Sequence, residues 1–158
     1  MSKVSAIQLN SGPNVKVNLY DVKTFIEQIA DLGSKMVVLP ENFALMPEND
    51  ADYIKHAEEL GDGQIQNYIS DLASSYKIWI VGGTIPIKSK DKNRVMASTI
   101  TYNEKGEQVS LYNKIHLFDV TLPKSQESYN ESKYFMPGDK IEVIDTPIGR
   151  AGIACCYD

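Results

Sequence analysis

Four consecutive apolar residues, Met36-Val37-Val38-Leu39, stopped by Pro40, limit the fold more than any other segment of this chain. A run so short and continuous, bounded by a residue that cannot donate to a ladder, predicts a strand covered on both faces. Ahead of it, Leu19, Val22, Phe25, Ile26, Ile29 and Ala30 recur at helical spacing, which predicts a helix with one apolar face. Asn18 is placed to cap that helix, Asp21 to sit in its first turn and Gly33 to end it. Residues 3–9 carry Val4, Ala6, Ile7 and Leu9 and read as an earlier strand, followed by the turn Ser11-Gly12-Pro13-Asn14. Strand, helix, strand in this order implies a parallel pair joined by a right-handed crossover.

Residues 50–60 and 64–76 predict two further helices separated by Gly61-Asp62-Gly63, and residues 78–81 a second buried strand closed by Gly82-Gly83. Residues 95–102 and 108–112 predict a hairpin about Glu104-Lys105-Gly106. Residues 141–144 and 150–155 predict another about Thr146-Pro147-Ile148-Gly149, its second strand apolar and buried. Between the hairpins, residues 117–139 read as a loop whose length suits a functional role. The class is α/β, with parallel strands early and antiparallel hairpins late. The 158 residues suit a single domain, 1–158. The chain stops directly after an apolar strand, so the expectation is an incomplete domain, covered by a further segment or by another chain.

Charge narrows the partners. A formal net charge of −5, with no basic cluster to offset it, argues against nucleic acid or an anionic membrane surface. No stretch approaches the roughly 20 apolar residues that span a bilayer. The start, MSKVSAIQLN, lacks the apolar run of a secretory leader. The only two cysteines, Cys155 and Cys156, are neighbours, and disulfide geometry seldom joins neighbours. A reduced, cytoplasmic protein is expected.

Three residues stand where chemistry is usually placed. Glu41 follows the buried strand 36–39, and functional groups of open α/β sheets gather past the carboxyl ends of strands. It suits a general base; the plainer reading is a surface or capping carboxylate. Lys114 follows the hairpin strand and is flanked by Ile115 and Leu117. In a dry pocket its ammonium would hold an oxyanion and make a nearby thiol more acidic; the alternative is a snorkelling lysine at the sheet edge. Cys155 and Cys156 end an apolar strand, and alternation would send one into the core and the other into a site. A buried structural thiol, or a redox-sensing pair, is the competing reading. Of the two histidines, His56 falls on a surface helix and His116 suits a supporting hydrogen bond, with a Cys–His pair still open. Gly82-Gly83 lacks the remainder of a phosphate loop.

Taken together, Leu39-Pro40-Glu41, the segment Tyr112-Asn113-Lys114-Ile115-His116-Leu117-Phe118 and the ending Gly152-Ile153-Ala154-Cys155-Cys156-Tyr157-Asp158 closely resemble the nitrilase, or carbon–nitrogen hydrolase, family. Ala6-Ile7-Gln8-Leu9 and Pro137-Gly138-Asp139 add to the likeness, which runs through the whole chain. The resemblance implies part of an α-β-β-α four-layer sandwich whose carboxyl-terminal elements lie beyond Asp158. It implies a Glu-Lys-Cys triad of Glu41, Lys114 and Cys156, with no metal or organic cofactor. It also implies an oxyanion donor in the Tyr157 N–H and a supporting carboxylate in Glu131, with Glu127 as the lesser choice. The segments 115–120 and 131–132 most resemble the branch that removes side-chain amides from small 2-oxo acids, the deaminated glutathione amidases and omega-amidases. The implied partners are a small amide and either further copies of the chain or a complementing carboxyl-terminal chain. The alternative is an inactive fragment that persists through oligomerisation.

Overall fold

The computed structural model of the chain describes residues 3–122 and 128–158. β1 (Lys3–Ala6), α1 (Val15–Asp31) and β2 (Ser34–Val38) form the expected crossover unit, with β1 and β2 parallel. A single helical turn, α2 (Asp52–Lys55), precedes α3 (Gln64–Tyr76), and the chain returns through β3 (Trp79–Val81), parallel to β2. The two crossovers bring α1 and α3 into contact on one face of the sheet. There Leu19, Val22 and Ile26 of α1 and Ile65, Ile69 and Leu72 of α3 share one core with Val37 and Ile80.

The second half is antiparallel. β4 (Ile85–Lys88), β5 (Val95–Tyr102) and β6 (Gln108–Asn113) are followed by a small hairpin of β7 (Asp119–Thr121) and β8 (Ser128–Asn130). A 3₁₀ turn (Glu131–Lys133) and β9 (Phe135–Met136) come next, then the hairpin of β10 (Glu142–Thr146) and β11 (Gly149–Ile153). β5 is long enough to hold β3 and β4 along one edge and β6 and β9 along the other. The main sheet therefore runs β1-β2-β3-β5-β4, with β6 and β9 on the far edge of β5. β10 packs against β6 without pairing with it. A helical layer, the main sheet and the separate β10–β11 hairpin packed against β6 make up the fold of the described residues.

Several elements depart from the sequence expectations. α1 starts a turn early, because Asn14 rather than Asn18 caps it: the Asn14 side chain accepts from the N–H groups of Lys16 and Val17. Asn18 is instead buried inside the helix, where its amide bonds both Gly12 and the carbonyl of Ala44, tying down the loop after β2. The helix expected over 50–60 is only the single turn of α2. Glu58 is drawn away to bond β4 through its main chain, and its carboxylate accepts from the N–H groups of Ile65 and Gln66. That caps α3, whose own cap residue, Gly63, has no side chain to offer. β4 is hidden in the sequence by Pro86, which a strand tolerates at a sheet edge. The loop over 117–139 contains β7, β8 and β9. β11 stops at Ile153, and no residue of it is buried. The expected buried strand is thus an open hairpin, with Ile141 82 % exposed just before it.

Candidate active site

β6 is antiparallel to β5, which is antiparallel to β3, so β6 runs in the direction of β2. Both strands end at the same edge of the sheet, and that edge gathers the chemistry. Leu39 N–H donates to the Val81 carbonyl at 2.9 Å, and Pro40 then ends the ladder ahead of Glu41. Gly83, with φ +49, passes so near Pro40 that a Cβ would lie 2.0 Å from its carbonyl oxygen. That close approach accounts for Gly83, while Gly82 passes the Ile100 carbonyl, 2.7 Å from where a Cβ would stand. Asn42, in the left-handed region at φ +54, donates its N–H to the buried Thr84 hydroxyl at 2.9 Å.

Lys114 is held from both sides. Its N–H donates to the Ala97 carbonyl at 2.9 Å, and its carbonyl accepts from Gly138 N–H at 2.8 Å. Gly138 lies so close to Asn113 that a Cβ would fall 2.2 Å from the Asn113 oxygen, which accounts for the glycine of Pro137-Gly138-Asp139. The Lys114 side chain is 2 % exposed. Its ammonium donates to Glu41 Oε1 at 2.9 Å and to both carboxylate oxygens of Glu131 at 3.0 Å. Burial disfavours the charge, but Glu41 and Glu131 outweigh it and hold the lysine above its ordinary pKa. Glu131 is anchored in turn by the Phe118 N–H, which donates to its Oε2 at 2.6 Å.

Beyond Ile153 the chain makes a turn closed by Asp158 N–H donating to the Cys155 carbonyl at 3.1 Å. Cys156 lies in that turn with φ +51, a conformation costly for a residue with a side chain. Cys155 is buried and Cys156 exposed. With Glu41, Lys114 and Glu131, Cys156 lines a cavity of about 440 Å³, a size that suits a small molecule. Strand alternation between the two thiols ends with β11, and in the turn both feel Glu41. Cys155 Sγ lies 3.5 Å from Glu41 Oε1 and donates to it. Burial and the Glu41 carboxylate push both thiols above the usual cysteine range, while Lys114 pulls less strongly the other way. Lys114 thus makes both thiols more acidic, as expected, but burial and Glu41 outweigh it.

Sequence reasoning passed over the residue that joins these pieces. The Asp158 carboxylate accepts from the Tyr112 hydroxyl, from the N–H of Cys155 at 3.0 Å, from the N–H groups of Ile115 at 3.2 Å and His116 at 2.8 Å, and has His116 Nδ1 at 3.1 Å. Burial would raise its pKa, but these donors prevail and hold it at about 2. One side chain thus ties the thiol turn to the lysine loop. Only its place at the end of the third motif hinted at this, since its partners on the lysine loop lie more than forty residues away. His116 has the supporting role expected of it, its ring on Asp158 rather than on a thiol. His56 bonds the Asp52 carbonyl on an exposed turn, away from the cavity. The Tyr157 N–H has no protein acceptor among the described residues. Glu127 lies outside the described residues.

The sequence matches the family model described as carbon-nitrogen hydrolase over residues 3–158. It is 37% identical over 158 residues to a deaminated glutathione amidase of Yersinia enterocolitica, covering 99% of this chain and 54% of the relative. It is 36% identical over 162 residues to the omega-amidase NIT3 of Saccharomyces cerevisiae, covering 99% and 55%. The crystal structure of that yeast's Nit3, a member of branch 10 of the nitrilase superfamily, superposes with a TM-score of 0.82 at 31% identity, covering 99% of this chain and 55% of that one. The Caenorhabditis elegans NitFhit protein superposes with a TM-score of 0.87 at 28% identity, covering 99% and 39%. The chain spans about half the length of the curated relatives it matches.

Proposed function

This chain belongs to the carbon–nitrogen hydrolase family, and from that footing we propose that it hydrolyses a small-molecule amide, the side-chain amide of a 2-oxo acid, through a thioester on Cys156. One observation carries the reading: a buried ammonium bridges two carboxylates on the wall of a cavity that also exposes a thiol from a strained turn. The names of the relatives, deaminated glutathione amidase and omega-amidase, support the substrate class.

In this mechanism the Cys156 sulfur attacks the amide carbon while Glu41 takes the thiol proton. Burial raises the Cys156 pKa, so the attack calls for such a base. Lys114 and the Tyr157 N–H hold the oxyanion. Lys114 has a proton to give, because one of its two bonds to Glu131 can be exchanged for the oxyanion while the other keeps it in place. Collapse of the tetrahedral species breaks the carbon–nitrogen bond, and Glu41 returns its proton to the leaving ammonia. A water molecule then gives a proton to Glu41 and attacks the thioester, releasing the carboxylic acid and restoring the thiol. The two free thiols favour a reducing compartment, the cytoplasm, as the place of work. No described helix is long and apolar enough to cross a membrane.

The test is ammonia release from small 2-oxo-acid ω-amides, using the chain together with any segment that continues it in its gene. Release that disappears in Cys156→Ala is expected. No release from any of a panel of small amides would overturn the reading. A second reading, persistence through association with further copies, is favoured by the open apolar side chains of Ile141, Val143 and Ile148 around β10 and β11. Sedimentation showing a monomer at all concentrations would remove it.

A further inference from the structure

We infer that Cys155 is a positioning residue for the base: its buried thiol holds the Glu41 carboxylate in place to work on Cys156. The inference rests on the reading of Glu41 as the base of Cys156. Glu41 Oε1 receives two donors, the Lys114 ammonium at 2.9 Å and Cys155 Sγ at 3.5 Å. Two donors on one oxygen restrict the rotation of the carboxylate. The Cys156 thiol, next along the chain, also bonds the Glu41 carboxylate and feels the Lys114 charge.

Cys155 is 8 % exposed and follows Ile153 and Ala154 in the chain. A valine would fill such a site as well as a thiol, whereas only a donor can orient a carboxylate. The charged and titratable groups that face Glu41 are Lys114, with Glu131 behind it, Cys155 and Cys156 from the final turn, and Asp50 and Tyr53 across the cavity. Of these, Lys114 and the two thiols bond it directly.

A carboxylate held by a donor stays aimed at the neighbouring thiol, so losing the donor slows the base-assisted reaction of Cys156. Cys156 alkylation by iodoacetamide at pH 7, followed residue by residue by mass spectrometry, reads this without any amide substrate. Cys155→Val is expected to slow it by about threefold, the yield of one weak hydrogen bond. Cys155→Ser, which keeps a donor, is expected to hold the rate of the unaltered chain. Cys155→Ala gives a second donor-free variant should valine disturb the turn, and it is expected to follow valine. If valine and alanine leave the rate in place, or if serine slows it as far as they do, Cys155 is only a packing residue and the inference fails. Because the readout is alkylation, a chain that releases no ammonia but shows this ordering would sink the proposed amidase activity and leave the role of Cys155 standing.

Discussion

Replacing Asp158 by asparagine removes the charge that binds the thiol turn to the lysine loop, and its cost can be worked in two ways. The carboxylate side chain is 6 % exposed and accepts from Tyr112, Cys155, Ile115 and His116. Hydrogen bonds to a charged group contribute about 1.5–3 kcal/mol each, far from additively, and asparagine keeps one acceptor oxygen, so a loss of about 2 kcal/mol is expected. Linkage gives a similar figure. A carboxyl held at about 2, against roughly 3.9 unfolded, corresponds to about 2.6 kcal/mol. Because the main chain of this residue is open to solvent, we reduce that to about 2 kcal/mol. The sign follows from the lowered value: the stabilisation is present above the unfolded pKa and is lost as pH falls through the folded one. Urea unfolding should therefore separate Asp158→Asn from the parent by about 2 kcal/mol at pH 7, and by about half that at pH 3. Iodoacetamide should also modify Cys155 more readily in the variant, since the turn that buries it is loosened. A gap below about 0.5 kcal/mol at pH 7, or one that does not shrink toward pH 3, would refute the reasoning.

Lys114→Met leaves Glu41 and Glu131 without their shared cation and should cost about 3 kcal/mol, the low end for a broken buried pair because both carboxylates reach the cavity; urea unfolding measures it, and a loss below about 1 kcal/mol would contradict it. Cys156→Gly relieves the positive φ and should raise stability by about 1 kcal/mol in urea while abolishing ammonia release, so a loss of stability would contradict the strain assigned to the turn. Gly83→Ala drives a Cβ to 2.0 Å from the Pro40 oxygen and should destabilise by at least about 2 kcal/mol while slowing Cys156 alkylation, because the turn that carries Glu41 must move. A variant that melts and alkylates like the parent would show that the turn can yield.

Legibility in the sequence followed how local each signal was. The runs at 36–39 and 78–81 and the helical spacing over 19–30 name elements that any buried sheet needs, and the structure has them as β2, β3 and α1. β4 and α2 were misread because distant partners decided them. Glu58 left the helix to cap α3, and Pro86 sat in a strand whose edge position no local pattern reveals. The candidate site shows the same division. Glu41, Lys114 and Cys156 stand out as residues just past strands, but the lock of Asp158 onto Tyr112, Ile115 and His116 spans more than forty residues and leaves no periodic trace.

By itself, then, the chain of residue types indicated the buried strands β2 and β3, the turns that end them and the candidate site residues, because burial and turn formation act over a few neighbouring residues. Only the tertiary structure decided that β6 runs with β2, that Lys114 spends its charge on two carboxylates, and that burial and Glu41 together outweigh Lys114 at the thiols. Those outcomes depend on distances of about 3 Å between groups far apart in the chain, and electrostatic and hydrogen-bond energies at that range are set by packing rather than by sequence order.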